Sequence, residues 1–219
     1  MPDLSAVLKI GGSLAKKPNS LIRLAKVLVD LAKTKNILIV PGGGAFADNV
    51  RLYYQKFNLS EESAHKMAIL AMDQYGYLLH DIIKVAKLIF NPYEYFDKKG
   101  IKILLPSKIM FNQNFPEQSW RTTSDSISSF IALLIKSTRL ILVKSVDGIF
   151  IDQLGCNPKQ IINTISAREL KITNRCVDEQ LPKILEKSNL DCYIVNGRYP
   201  YRIKKILDNE RSIYTKIIP

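Results

Sequence analysis

The sequence predicts an α/β protein with a largely parallel sheet, and three features predict it. Short apolar runs alternate with stretches of helical periodicity along the chain. Two of those runs pass directly into glycine-rich turns, as strands of parallel sheets do before a helix. No apolar run approaches the roughly 18 residues that a membrane-spanning helix needs.

In chain order, the apolar runs at residues 6–10, 37–40, 101–105, 140–143 and 192–195 read as strands. After the first, Leu21, Leu24, Ala25, Leu28 and Leu31 recur at helical spacing, and Ile127, Phe130, Ile131 and Leu134 do so later. A long helix is predicted after Ser60, because Ser60, Ser63 and the acidic pair Glu61 and Glu62 suit a helix N-terminus and its partial positive charge. Residues 106–123 are the most irregular, polar and holding the only tryptophan, Trp120; a mobile lid and a plain surface excursion both fit.

With 219 residues, 47% hydrophobic and 24% charged, the chain has the balance of an ordinary folded protein, and a single domain over residues 1–219 is expected. Lys+Arg 32 against Asp+Glu 20 leaves a net charge of +12. The basic residues are spread throughout, with no run of five or six like charges, so most read as solvated surface and no nucleic-acid partner is expected. A small phosphorylated molecule answers the same excess. Cys156, Cys176 and Cys192 are odd in number and far apart, which supports neither a disulfide framework nor a zinc site. The N-terminus, Met1-Pro2-Asp3-Leu4, lacks the order of a secretory signal, so a cytoplasmic protein without a membrane partner is expected.

The glycine turns carry the functional signal. Lys9-Ile10-Gly11-Gly12-Ser13 and Pro41-Gly42-Gly43-Gly44-Ala45 each lead from a strand toward a helix, where free N–H groups and close backbone approach make a phosphate cradle. In a parallel sheet both would lie at the carboxyl edge, facing one another, as phosphoryl transfer requires of a donor and an acceptor. Tight strand-to-helix turns with no ligand are the bland alternative. G-x-x-x-x-G-K-[ST] is absent. Gly42, Gly44 and Ala47 fit G-x-G-x-x-A, the dinucleotide fingerprint, but the acidic residue due about 20 positions on falls at Glu61 or Glu62, which open a helix instead of closing a strand.

The order of motifs resembles the amino acid kinase family over essentially the whole chain. Val7-Leu8-Lys9-Ile10-Gly11-Gly12-Ser13 is similar to its opening, and Val40-Pro41-Gly42-Gly43-Gly44 to its second glycine turn. Thr123-Ser124-Asp125-Ser126-Ile127 resembles the segment of its organising aspartate, and Leu142-Val143-Lys144-Ser145-Val146-Asp147-Gly148-Ile149-Phe150 its nucleotide-site strand and turn. Leu181-Pro182-Lys183 is similar to the motif of a second lysine, and Ile194-Val195-Asn196-Gly197-Arg198 to the last strand and turn. Within the family, residues 41–48, 64–76 and 176–183 look most like the short members that phosphorylate a phosphate monoester of methanofuran biosynthesis, with uridylate kinases as the alternative.

The resemblance implies a three-layer α/β/α sandwich, ATP and Mg²⁺, a phosphate monoester as acceptor, and a homo-oligomer. It implies that Lys9 and Lys183 neutralise the transferred and leaving phosphates and that Asp125 orients both. A snorkelling Lys9, a solvated Lys183 and Asp125 as a plain helix cap are the bland counterparts. Gly11, Gly12, Ser13, Lys144, Ser145, Asp147, Gly148 and Phe150 would line the ATP site. Gly43, Gly44 and Arg51 would hold the acceptor phosphate, and Asp73 an amine on it; Arg51 reads equally as surface. No protein metal ligands are implied, the Mg²⁺ coming with ATP. The chain departs from the family pattern at Lys144, often threonine, at Asp152 and Asn157-Pro158, and at Val177-Asp178-Glu179-Gln180, where a glycine pair is usual. A non-catalytic nucleotide sensor fits those departures.

Overall fold

The computed structural model describes residues 4–97, 99–112, 122–150, 160–173 and 176–219. One sheet of eight strands runs through them: β1 (Ala6–Ile10), β2 (Asn36–Pro41), β3 (Lys87–Ile89), β4 (Gly100–Leu104), β5 (Arg139–Lys144), β6 (Thr164–Ser166), β7 (Asp191–Asn196) and β8 (Thr215–Ile218). Their spatial order is β3-β4-β2-β1-β5-β7-β8-β6, and the β7–β8 pair is antiparallel while the others are parallel. The strands expected from the apolar runs are β1, β2, β4, β5 and β7. β3, β6 and β8 are additions: sequences such as KLI and TIS are too short for a period to emerge.

The helices are α1 (Pro18–Leu31), α2 (Gly44–Phe57), α3 (Glu61–Ile82), α4 (Ser107–Asn112), α5 (Ser124–Leu134), α6 (Ala167–Thr173), α7 (Leu181–Leu185) and α8 (Tyr201–Leu207). α1 buries Leu21, Leu24, Ala25, Leu28 and Leu31, the stripe its spacing predicts. α3 begins where expected, the Ser60 hydroxyl accepting a 3.2 Å hydrogen bond from the Ser63 amide. No helix among the described residues is long and apolar enough to cross a membrane. Of the irregular stretch, residues 107–112 form α4; residues 113–121 with Trp120 lie outside the described residues, as do Asp152, Cys156, Asn157 and Pro158.

Strand alternation separates two cores. Leu8, Ile10, Ile37, Ile39, Val143 and Val195 pack under α1 and α8 on one face. Val7, Leu38, Val40, Leu140, Leu142 and Ile194 pack under α5, α6 and α7 on the other. α3 serves both, with Ile69 and Met72 in one core and Tyr75 and Leu79 in the other.

The site is positioned by the middle of the sheet. From β1 the chain proceeds to β2 on one side and returns later as β5 on the other, so β1 marks a switch point at which α/β sheets open a crevice. The two glycine turns leave neighbouring strands in register, Ile10 opposite Pro41, and meet directly. A Cβ on Gly12 would lie 2.1 Å from the Gly44 Cα, and Gly44 itself has φ +56°, so glycine is demanded at both. Contrary to expectation, the first turn does not open into an α-helix. Gly12–Lys16 is a 3₁₀ turn, and α1 starts only at Pro18, because the residue before a proline is pushed out of the helical region and Lys17 sits at φ −128°, ψ 84°. Only the second turn opens straight into an α-helix, α2.

Gly12→Ala is expected to force the turns apart, lowering the unfolding free energy by about 1–3 kcal/mol in urea titrations, the usual cost of overpacking. An unchanged midpoint would mean the turns yield independently.

Candidate active site

A cleft of about 440 Å³ opens over the carboxyl ends of β1, β2 and β5. Its floor is Lys9, Lys144 and Asp125. Lys9 follows Val7 on the α5-facing side of β1, and Lys144 follows Leu140 and Leu142 on the same side of the adjacent β5. Both side chains therefore reach the first turn of α5, where Thr123 caps the helix by accepting from the Asp125 amide at 3.3 Å.

The Asp125 carboxylate bridges the two. Lys144 Nζ donates to Oδ2 at 2.5 Å, and Lys9 Nζ stands 2.8 Å from Oδ1 as an ion-pair contact without hydrogen-bond alignment. Asp125 is 3% exposed and Lys9 6%. Burial by itself would raise the Asp125 pKa, but the two ammonium groups override it and hold the carboxyl at about 2. Burial lowers the pKa of Lys9, with Asp125 opposing and Lys144 adding to the fall. For Lys144 burial also works downward, but Asp125 dominates and lifts it above the ordinary lysine value.

Around this floor the walls divide. On the β1–β5 side stand Gly11, Gly12, Ser13, Ser145 and Val146, with the Ser13 hydroxyl 3.4 Å from that of Ser145. On the β2 side stand Gly43, Gly44, Ala47, Asp48 and Arg51 of α2 and its turn. Arg51 donates to Asp48 at 2.8 Å, and Lys16 lies 3.6 Å from the same carboxylate. α3 closes that side with His65, Ala68, Ile69 and Met72, residues at helical spacing. Cys176 completes the rim near Lys144.

The structure thus brings together Lys9, Asp125, Gly11, Gly12, Ser13, Lys144, Ser145, Gly43, Gly44 and Arg51. It does not bring Lys183 to them: that side chain is exposed on α7 and absent from the cleft wall, and the second ammonium on Asp125 belongs to Lys144. Asp73 is also off the wall, because it accepts from the Ser107 amide at 3.2 Å and anchors the start of α4; its pKa is raised by burial. Asp147 turns away to Asn196 and the buried Arg202 guanidinium, Gly148 packs against Thr215, and Phe150 bridges to Ile161, so these three lie off the cleft wall, while Val146 just before them lines it. His65, which the sequence offers together with the helix after it as lining for the acceptor pocket, does stand on the wall, whereas Asp48 is a wall residue that sequence reasoning missed, the 44-47-48-51 spacing being the available signal.

A three-layer α/β fold whose glycine turns and buried lysines converge on one cleft defines a phosphotransferase. The model of the amino acid kinase family matches residues 5–196, and the chain belongs to that family. It is 39% identical over 217 residues to the [5-(aminomethyl)furan-3-yl]methyl phosphate kinase of Methanocaldococcus jannaschii, covering 97% of each chain. It is 26% identical to the uridylate kinase of Methanosarcina barkeri, covering 94% of this chain and 92% of that one. In three dimensions it resembles the uridylate kinase of Archaeoglobus fulgidus, with a TM-score of 0.76, 23% identity and coverage of 97% and 99%.

Replacing Asp125 by asparagine is expected to cost about 3–5 kcal/mol at pH 7, because two buried ammonium groups lose their counter-charge. Since the folded carboxyl titrates below its unfolded value, its stabilisation is complete above about pH 4 and is lost as the pH falls through about 2. Urea unfolding of both proteins should therefore give a gap that narrows below pH 4; a constant gap would contradict the bridge.

Proposed function

We propose that the chain acts as a single-domain, ATP-dependent kinase that converts a phosphate monoester into a diphosphate, the acceptor being [5-(aminomethyl)furan-3-yl]methyl phosphate of methanofuran biosynthesis. The observation that carries this reading is the convergence of Lys9 and Lys144 on Asp125 beside two touching glycine turns. The acceptor is supported by the Methanocaldococcus relative and by the wall of the β2 side. Ala47, Ala68, Ile69, Met72 and Ile127 give it a small, apolar lining suited to a five-membered ring, with Arg51 and Lys16 for a phosphate. Uridylate is the second reading, supported by the uridylate kinase relatives.

In this scheme the donor phosphates lie against Gly11, Gly12, Ser13 and Ser145, and the acceptor phosphate against Gly43, Gly44 and Arg51. A monoester oxygen attacks the γ-phosphorus; the new P–O bond forms as the bond to the β-bridging oxygen breaks, and ADP leaves with that electron pair. The second ionisation of a phosphate monoester lies near pH 6, so at neutral pH the nucleophile is already anionic and no base is needed. Asp125, held at about 2 and occupied by two ammonium groups, is unsuited to be one. Its work is to hold Lys9 and Lys144 where charge accumulates on the transferred phosphoryl group and the leaving oxygen. Magnesium would enter as part of the Mg-ATP substrate, held chiefly by phosphate oxygens and water.

The test is coupled ADP release with Mg-ATP and separate acceptors: the aminomethylfuran phosphate, UMP, isopentenyl phosphate and free amino acids. Turnover with the furan phosphate is expected, and turnover with UMP alone would keep the chemistry and replace the acceptor. Lys9→Ala and Lys144→Ala should each lower kcat about 10²–10³-fold, whereas Lys183→Ala should stay within about threefold, as expected of an exposed side chain off the cleft wall. The reverse ranking of Lys144 and Lys183 would overturn the assignment.

A further inference from the structure

We propose that Asp178 is a positioning residue for phosphoryl transfer: by bonding to the starts of α5 and α7 at once, its carboxylate sets where Asp125 stands between Lys9 and Lys144. The inference rests on the kinase reading above.

Asp178 precedes α7 and does not line the cleft. Its Oδ2 accepts from the Thr123 amide at 2.9 Å, the Thr123 hydroxyl at 2.7 Å and the Ser126 amide at 3.1 Å. Its Oδ1 accepts from the Ser126 hydroxyl, the Gln180 amide at 3.1 Å and the Leu181 amide at 2.9 Å. Thr123 and Ser126 bracket Asp125, and the hydroxyl that donates to Asp178 is the one that accepts from the Asp125 amide. The backbone carrying Asp125 is thus clamped on both sides by one carboxylate.

The clamp matters because the contacts of the Asp125 carboxylate, a hydrogen bond from Lys144 to Oδ2 and the ion pair of Lys9 with Oδ1, depend on where its backbone stands. Its Oδ1 has no aligned hydrogen bond, only the charge of Lys9 opposite. The first turn of α5 carries that backbone, and four of the Asp178 bonds hold the turn. A carboxylate there also satisfies free helix N–H groups and is favoured by the helix dipole. A second effect is electrostatic: Asp178 adds negative charge that favours the ammonium forms of both lysines. The groups facing Lys9 are Asp125 from α5, Lys144 from β5, and Asp178 and Cys176 from the segment before α7. Across the cleft stand Lys16, Asp48, Arg51 and His65.

The experiment compares Asp178→Asn and Ser126→Ala with the unaltered protein in steady-state ADP release across pH, with melting temperatures measured alongside. Asparagine keeps the shape but cannot accept on both sides. Its kcat is expected to fall about 10–100-fold, the scale of a misplacement near 1 Å, with both KM values within about threefold and the alkaline limb of kcat moved to lower pH. Ser126 is fully buried away from the cleft wall, so Ser126→Ala loses one of the clamp's bonds; it decides the matter if the first variant fails to fold, with an expected loss in kcat of about 3–10-fold and unchanged KM. Folded variants with unaltered kcat and alkaline limb, or a loss that tracks only the folded fraction, would overturn the proposal. An unaltered protein silent with every acceptor would instead remove the kinase reading beneath it.

Discussion

Two ammonium groups share one buried carboxylate at the centre of this molecule, and that triad is tolerable only because all three charges are kept together. Away from water each would be costly alone, and the two ammonium groups hold the Asp125 carboxyl ionised well below the ordinary carboxylate range. The triad is nonetheless unbalanced. Within the triad itself two positive charges face one negative, with Asp178 adding negative charge from behind, and the lysines sit beside glycine turns whose N–H groups add partial positive charge. In the proposed scheme a phosphate chain completes these electrostatics, so affinity for polyphosphate and the cost of the buried lysines would be two aspects of one arrangement.

The sheet makes this possible through phase and adjacency. β1 and β5 are neighbours, and their residues opposite one another point to the same face, so lysines two positions offset in register converge on a single helix terminus. Moving either strand by one residue would send its lysine into the other core, among the leucines under α1. The antiparallel β8 and the short β6 lie at the far edge and take no part in this convergence; through Thr215 they instead hold the V-D-G turn.

How much of this was legible in the sequence varied with the range of the interaction responsible. Strands of five or six apolar residues and the stripe of α1 are written locally, and the paired glycine turns by themselves announce an anion-binding crevice. Lys144 was legible as a site residue but not as the partner of Asp125, because that requires knowing that β5 lies beside β1 and in which register. Lys183 sits in a recognisable Leu-Pro-Lys motif, but its helix is only Leu181–Leu185 and turns the lysine outward. Asp73 has the chemistry for an amine, but a backbone amide thirty-four positions later in the chain claims it. Contacts of that separation leave no periodic trace.

The division of the cleft walls has a consequence for how such an enzyme can diversify. In the proposed scheme the reacting centre is built from β1, β5 and the first turn of α5, whereas the β2 side is walled by α2 and α3, α3 also packing into both cores. On that scheme acceptor recognition is carried by other elements than the chemistry. On that scheme, substitutions at Asp48, Arg51 and Ala68 would change what is admitted while leaving the lysine pair in place, so a redesign campaign aimed at new phosphomonoesters can treat chemistry and selectivity as separate libraries.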